Sequence, residues 1–180
     1  MTNFTAMITE SGIPLKIVFI CHGNICRSPM AECVMKHLVK TNHLNDDFLI
    51  TSAAVSNEEI GNPIYPPAAR TLRQHGIDFS THNSAHKITT EEFEAADLII
   101  AMDRSNLRLL NQIIPQQYIN QCDSRILDLG INKKVSLLMD FAGEVNKEVA
   151  DPWYTGDFER TFSDVMKGCR GLLKLLYPKL

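Results

Sequence analysis

Four short apolar runs constrain the fold of this 180-residue chain most strongly. The first, LKIVFI, is apolar at nearly every position, as a strand buried on both faces of a sheet would be. Segments with helical spacing separate the runs, and strands that alternate with helices are joined by right-handed crossovers into a parallel sheet. The sequence therefore predicts an α/β fold. The predicted strands are Leu15–Ile20, Asp46–Val55, Asp97–Met102 and Lys134–Phe141.

Apolar residues at three- and four-residue steps predict helices between and after these strands. Thr89 begins a motif that resembles a capping box, and Asp103 stands where an N-cap is expected. The segment 115–134 has no clear pattern, and Gly61–Pro67 and Asp151–Gly156 have loop compositions. One predicted helix begins at Ser28. The other predicted helices span Ala68–His75, Thr89–Ala96, Arg104–Ile114 and Phe158–Leu176.

Composition narrows the class of protein. The chain is 44% hydrophobic and 22% charged, which is typical of a globular domain. We expect residues 1–14 to be an N-terminal extension and residues 15–180 to form a single domain. A net charge of -3 argues against nucleic-acid binding through a basic surface. No apolar run has the roughly 18 residues of a membrane helix, and the N-terminus lacks a signal-peptide pattern.

The five cysteines predict a reducing compartment. Their number is odd and their spacing is irregular, so they make a poor disulfide framework. A zinc site would need close pairs of Cys or His, which the chain does not offer at the usual spacing. We therefore expect a cytoplasmic protein. Cys33 and Cys169 are interpreted as buried structural thiols.

The segment CHGNICRSP, which follows the first strand, has the pattern of a phosphate-binding loop. It lies where sites form in parallel sheets, at the carboxyl end of a strand. Gly23 and Asn24 tolerate the unusual dihedral angles that point successive N–H groups inward. The next helix adds free N–H groups and its positive end, and Arg27 can hold two phosphate oxygens.

The same positive surroundings act on Cys21. Cysteines at a helix N-terminus beside an arginine lose their proton far more readily than free thiols do. We therefore expect Cys21 to be a thiolate nucleophile, with Ser28 as a hydrogen-bond donor to its sulfur. A cysteine at the end of a strand is otherwise most often core filler, and it is the neighbouring Gly, Asn, Arg and Ser that favour the reactive interpretation.

The whole series of motifs closely resembles the low-molecular-weight protein tyrosine phosphatases. CHGNICRSP is similar to the signature loop of the family, and later motifs follow in the family's order over about residues 15–177. The resemblance implies a three-layer α/β fold, in which a four-stranded parallel sheet is flanked by helices and the phosphate-binding loop follows the first strand. The later motifs are EIGNP, HGIDFSTH, ADLIIAMDRSNLRLL and DPWYTGDFE.

The resemblance implies a role for each matching residue. Cys21 corresponds to the nucleophile that forms a phosphocysteine, Arg27 to the phosphate clamp and Asp151 to the general acid. Cys26 matches a cysteine that forms a reversible disulfide with the nucleophile under oxidation. No cofactor or metal is implied, and the expected partner is a phosphotyrosine protein, with a tyrosine kinase as one candidate. The remaining matches are the loop residues His22, Gly23, Asn24, Ile25 and Ser28 and the supporting residues Ser52 and His82.

The chemistry of the reaction explains why the family needs an aspartate such as Asp151. A tyrosine leaving group has a pKa of about 10, so its departure benefits from a proton donor.

The sequence also departs from the family pattern. Glu58 stands where several members have an aromatic pocket wall, which favours a different charge beside the phosphotyrosine. Trp153 and Tyr154 still supply aromatic surface.

Three alternatives remain beside a phosphatase acting on phosphotyrosine and small aryl phosphates. A protein arginine phosphatase resembles this loop but carries Thr where this chain has Ile25. A thiol-dependent arsenate reductase needs resolving cysteines near the loop, and there is no cysteine between Tyr65 and Thr90. A non-catalytic phosphate-binding module would need neither Cys21 nor Asp151. The oligomeric state is left open.

Overall fold

The structure, a computed structural model, describes residues 12–82, 84–119, 127, 131–144, 146–178 and 180. Most of the expected N-terminal extension and half of the segment 115–134 lie outside these residues. The division into an extension and a single domain from residue 15 remains a prediction. No helix in the described part of the chain is both long and apolar enough to cross a membrane.

The described strands form one parallel sheet, as predicted. Its strand order is β2-β1-β3-β4, so β1 is central and pairs with both β2 and β3. Cys21, the last residue of β1, pairs with Ala54 at the carboxyl edge. The strands are β1 (Leu15–Cys21), β2 (Phe48–Ala54), β3 (Leu98–Ala101) and β4 (Val135–Leu137).

Helices cover both faces of the sheet, which confirms the three-layer prediction. Side chains of a strand alternate between faces. Ile17 and Phe19 of β1 therefore lie in one apolar core, and Val18 and Ile20 lie in the other. The helices are α1 (Arg27–Thr41), α2 (Pro66–Gln74), α3 (Thr90–Ala95), α4 (Arg104–Ile113), α5 (Gln116–Ile119), α6 (Leu138–Phe141), α7 (Pro152–Thr155) and α8 (Phe158–Leu176).

Local sequence signals placed most helix ends well. Thr89 forms the predicted capping box with Glu92, and the Asp103 carboxylate accepts from the N–H of Asn106 at 2.7 Å. α8 has the predicted bounds. α2 starts two residues early because Pro66 and Pro67 suit the first turn of a helix. The predicted second strand was too long, since Asn45–Asp47 forms a 3-10 turn before β2.

The prediction of a single strand over Lys134–Phe141 was wrong for its second half. Only Val135–Leu137 pairs with β3, and Leu138–Phe141 forms α6. Leu138 and Met139 are fully buried in the core that contains α8. Periodicity could not separate the two elements, because a buried strand and a buried helical turn both give continuous apolar runs.

The interpretation of Asp151–Gly156 as a loop was also incomplete. Asp151 caps α7 by accepting from the N–H of Trp153 at 3.0 Å, and Pro152 supplies the backbone angle of a first helical residue. Gly156 ends the helix in the left-handed conformation, with φ of 68°. The short helix holds the Asp151 carboxylate in a defined position.

α8 packs so closely on α6 that Gly171 has no room for a side chain. A Cβ there would overlap the carbonyl oxygen of Phe141, which is backbone and cannot turn away. We expect Gly171→Ala to lower the free energy of unfolding by roughly 1–3 kcal/mol, despite the higher helix propensity of alanine.

Urea denaturation followed by circular dichroism measures this change. Arg170→Ala, at the exposed neighbouring position of the same helix, is the control and should stay within about 0.5 kcal/mol of the parent. Equal stabilities of the two variants would contradict the close packing.

Candidate active site

The loop after β1 is tied to its neighbours by backbone hydrogen bonds. The His22 carbonyl accepts from the N–H groups of Val55 and Ser56 at 3.2 and 3.0 Å, and the Ile25 carbonyl accepts from the N–H of Tyr65 at 2.8 Å. These bonds join the loop to the chain that follows β2. The loop therefore has a fixed shape between the end of β1 and the start of α1 at Arg27.

Asn24 and Gly23 shape the loop in different ways. Asn24 adopts a left-handed conformation with φ of 57°, and its N–H donates to the Cys21 Sγ at 3.3 Å. Gly23 does not have a positive φ. A Cβ at Gly23 would instead lie 2.8 Å from the Cγ of Glu59. The glycine is thus required by close approach and not, as predicted, by unusual dihedral angles.

The Cys21 sulfur receives a second hydrogen bond. The Ser28 hydroxyl donates to the Cys21 Sγ at 3.1 Å, as the sequence analysis expected. Cys21 is buried at the base of a cavity, beside the first turn of α1. Two donors at the sulfur and the positive end of a helix form the environment that a reactive thiolate requires.

A buried polar network lies behind the loop and holds Asn24. The Asn24 Nδ2 donates to the Oγ atoms of Ser28 and Ser52, both at 2.9 Å. Ser52 in turn donates to the Glu32 carboxylate at 2.5 Å. Asn24, Ser28 and Ser52 are almost completely buried. They support the loop and do not line the cavity.

Glu32 is the residue of this network that the sequence analysis missed. It also binds Lys36 at 2.5 Å and His82 Nδ1 at 3.0 Å. Burial works to raise the pKa of Glu32, but the hydrogen bonds from His82, Lys36 and Ser52 outweigh it and lower the pKa. Its position four residues after Ser28, among the buried positions of α1, was the available signal. His82 therefore supports the loop through Glu32.

The guanidinium of Arg27 lies between two carboxylates. Its side chain is only 4% exposed; it donates a hydrogen bond to Asp103 at 2.5 Å and forms an ion pair with Asp151 at 2.6 Å. Burial works to lower the pKa of Arg27, but negative charge at Cys21 and Asp151 and the bond to Asp103 raise it overall. Arg27 is therefore a fixed positive charge beside Cys21.

Asp103 does more than cap α4, the only role that the sequence suggested. Burial works to raise the pKa of this carboxyl, and hydrogen bonds from Ser105 and Arg27 lower it overall. Asp103 thus orients Arg27 from the carboxyl end of β3. No local pattern could show this, because 76 residues separate the two side chains in the sequence.

One cavity of about 300 Å³ joins the loop, α4 and α7. Most of the predicted site residues line it, and Asn24, Ser28, Ser52 and His82 lie behind its wall. The cavity can enclose a phosphoryl group together with part of an aromatic ring. Its lining residues are Cys21, His22, Gly23, Ile25, Cys26, Arg27, Glu58, Glu59, Asp103, Ser105, Asp151, Trp153 and Tyr154.

The mouth of the cavity has two chemically different walls. Trp153 and Tyr154 are 60% and 86% exposed and give one wall aromatic surface, with the Trp153 ring centroid 5.6 Å from that of Tyr65. On another wall, the Glu58 carboxylate contacts His22 Nε2 at 3.0 Å. The structure therefore places a polar pair, His22 and Glu58, at this wall.

Cys26 lines the same cavity and is also buried. Burial, and to a lesser degree negative charge at Cys21 and Asp151, raises the pKa of Cys26 to about 12. Cys26 is therefore a neutral thiol at physiological pH.

The chain is similar in sequence to known phosphatases. A sequence model described as low molecular weight phosphotyrosine protein phosphatase matches residues 16–179. The low molecular weight phosphotyrosine protein phosphatase of Sus scrofa is 36% identical over 160 residues, which cover 88% of this chain and 93% of that protein.

Solved structures agree with the sequence match. YfkJ from Bacillus subtilis superposes with a TM-score of 0.77 at 30% identity, covering 89% of this chain and 93% of that one. A Drosophila arginine phosphatase gives a TM-score of 0.73 at 27% identity, covering 89% and 96%. The chain belongs to the low-molecular-weight phosphotyrosine protein phosphatase family.

Proposed function

We propose that Cys21, Arg27 and Asp151 carry out phosphotyrosine hydrolysis in this member of the family through a phosphocysteine intermediate. The observation that carries the proposal is the cavity itself. It brings a sulfur with two hydrogen-bond donors, a buried guanidinium and a helix-capping carboxylate into one space. The same cavity accommodates small aryl phosphates.

In the first step, the Cys21 sulfur attacks phosphorus and the bond to the tyrosine oxygen breaks. Arg27 and the N–H groups of the loop bind the phosphoryl oxygens, on which negative charge accumulates in the transition state. Asp151 gives its proton to the departing tyrosine oxygen. The products of this step are a phosphocysteine and a free tyrosine side chain.

In the second step, water attacks the phosphocysteine. Asp151, now a carboxylate, takes a proton from that water, and the bond between phosphorus and sulfur breaks. Ser28 donates to the departing sulfur, as it does in the structure. Inorganic phosphate leaves and the Cys21 thiolate is restored.

The phosphotyrosine interpretation is favoured over the arginine phosphatase alternative. Ile25 lies at the cavity wall and, together with Trp153 and Tyr154, offers apolar surface to a phenyl ring. Because the chain is also similar to a Drosophila arginine phosphatase, a phosphoarginine peptide is the competing substrate to test. We further propose that residues 15–180 carry the activity as one domain in the cytoplasm, on phosphotyrosine proteins that include a tyrosine kinase.

Replacement of the nucleophile tests the mechanism directly. We expect Cys21→Ser to abolish hydrolysis of phosphotyrosine and phenyl phosphate, because a serine hydroxyl is a far weaker acid than a thiol and is a poor nucleophile while it keeps its proton. The parent enzyme, quenched during turnover, should carry one phosphoryl group on the Cys21 peptide by mass spectrometry.

Cys33→Ala is the matched control, since Cys33 is a buried cysteine of α1 that does not line the cavity. It should keep most of the activity. Full activity of Cys21→Ser, or a phosphoryl group on another residue, would exclude the mechanism. Preference for phosphoarginine over phosphotyrosine would select the alternative.

The general acid is tested by the leaving group. We expect Asp151→Asn to reduce kcat for phosphotyrosine roughly 10²–10⁴-fold, and to reduce it far less for esters whose leaving groups are stronger acids. Asp103→Asn is the control, because it removes the other carboxylate on Arg27 and should affect all these esters similarly. A loss for Asp151→Asn that does not depend on the leaving group would rule out proton donation.

We also propose that Cys26 protects Cys21 during oxidation. Peroxide converts the Cys21 thiolate to a sulfenic acid and is itself reduced to hydroxide. The Cys26 sulfur then attacks the Cys21 sulfur, the disulfide forms and water leaves. Because Cys21 loses its negative charge in the first step, one cause of the raised pKa of Cys26 disappears as the attack begins.

The high pKa of Cys26 gives a pH dependence that can be measured. Attack requires the Cys26 thiolate, and burial, the largest cause of the raised pKa of Cys26, persists after Cys21 is oxidised. The thiolate fraction therefore increases as the pH is raised above neutral, and disulfide formation after peroxide should accelerate with it. Mass spectrometry of quenched samples should show the linked Cys21 and Cys26 peptides, and a thiol reductant should restore activity. Inactivation without that linked peptide would disprove the protection.

A further inference from the structure

We propose that Glu58 makes this enzyme select phosphotyrosines that have an arginine or lysine beside them in the substrate chain. The inference rests on the proposed phosphotyrosine function and concerns the mouth of the same cavity. It follows from how the charges that line the cavity are distributed between its base and its mouth.

The base of the cavity has its charges matched. Of the four carboxylates that line it, Asp103 and Asp151 are both bound to Arg27. Arg27 is the only Lys or Arg side chain among the described lining residues. Its charge is thus engaged at the phosphate position and is not available to the carboxylates at the mouth.

Glu59 is directed against the loop. A Cβ on Gly23 would lie 2.8 Å from the Cγ of Glu59. The Glu59 carboxylate accepts a hydrogen bond from the side-chain amide of Asn62 at 2.7 Å. Glu58 differs, because its side chain is 70% exposed at the mouth. Glu58 is therefore the carboxylate that a bound peptide meets first outside the phosphate position.

The Glu58 carboxylate is also held in place. It contacts His22 Nε2 at 3.0 Å, and the His22 carbonyl accepts from the N–H of Ser56 at 3.0 Å, two residues before Glu58. An exposed charge that is already ordered loses less conformational entropy when it forms an ion pair. The His22 ring offsets the charge of Glu58 only when the ring is protonated.

The chemistry of the ligand follows from this wall. Consecutive residues of a peptide are about 3.8 Å apart, so the residue beside the phosphotyrosine lies over the rim of the cavity. A long arginine or lysine side chain at that position can reach the Glu58 carboxylate, whereas an acidic side chain is repelled. The aromatic wall of Trp153 and Tyr154 remains for the phosphotyrosine ring.

Three phosphotyrosine peptides test the proposal. They differ only in the residues on either side of the phosphotyrosine, which are Arg, Gln or Glu. The assay is run at about pH 8, above the range in which imidazoles ordinarily titrate. We expect the parent kcat/KM to be about fivefold higher for the Arg peptide than for the Glu peptide, which is the size typical of exposed ion pairs. The preference should shrink as added salt screens the charges.

The variants assign this preference to one residue. Glu58→Gln should reduce the ratio to about twofold or less, and Glu58→Lys should invert it. Glu159→Gln is the matched control, because Glu159 is also an exposed glutamate bound to a histidine, His75, but does not line the cavity. It should keep the parent ratio. Phenyl phosphate, which has no flanking residues, measures the catalytic competence of each variant.

The outcomes distinguish failure of the proposed function from failure of the proposed role of Glu58. A parent enzyme that hydrolyses neither phenyl phosphate nor any phosphotyrosine peptide would refute the proposed function. A parent enzyme that hydrolyses all three peptides equally, or a Glu58→Gln variant that keeps the parent ratio, would overturn the role of Glu58 alone. A preference for the Glu peptide would overturn it as well.

Discussion

The bonding of Arg27 to two carboxylates is the interaction on which the site depends. A buried guanidinium without partners would cost several kcal/mol, so its charge must be matched in place. Asp103 comes from the end of β3 and Asp151 from the start of α7. The two ion pairs therefore hold the guanidinium of Arg27, the proposed phosphate clamp, and join two distant parts of the chain at the cavity. An arginine anchored on both sides loses little entropy when it binds a phosphoryl group.

The same arrangement brings the proposed phosphate clamp and the proposed general acid together. Arg27 cannot fully neutralise a phosphoryl dianion and two carboxylates at once. The Asp103 carboxylate stays charged because Ser105, Arg27 and the N–H of Asn106 all donate to it. A phosphoryl group bound to Arg27 would therefore share that guanidinium with the Asp151 carboxylate, which lies 2.6 Å from it. Substrate binding and the group proposed as the proton donor therefore meet at one side chain, Arg27.

Sequence patterns predicted the parts of this structure that short segments determine. The strand, the loop and the helix start around Cys21 lie within a dozen residues, and the capping residues Thr89 and Asp103 act on the next turn. The prediction failed where tertiary contacts decide the outcome. Packing against the core makes Leu138–Phe141 a helix and not a continuation of the strand. How the helices pack on the sheet decides the bond between Asp103 and Arg27, and it also decides the position of Glu32.

The chemistry of the base and the polarity of the mouth are physically separable in this cavity. Cys21 and Arg27 are held by the sheet edge, α1 and the network through Asn24, and each contact there constrains several others. Glu58 lies on an exposed chain segment, and its side-chain bond to His22 can be lost without disturbing a buried group. In the proposed mechanism all phosphate esters use the same sulfur and guanidinium, so a substitution at the base would alter the reaction for every substrate. A substitution at the mouth changes only how strongly the residues around the phosphate are attracted or repelled, so members of one fold can share a reaction and still differ in the proteins that they dephosphorylate.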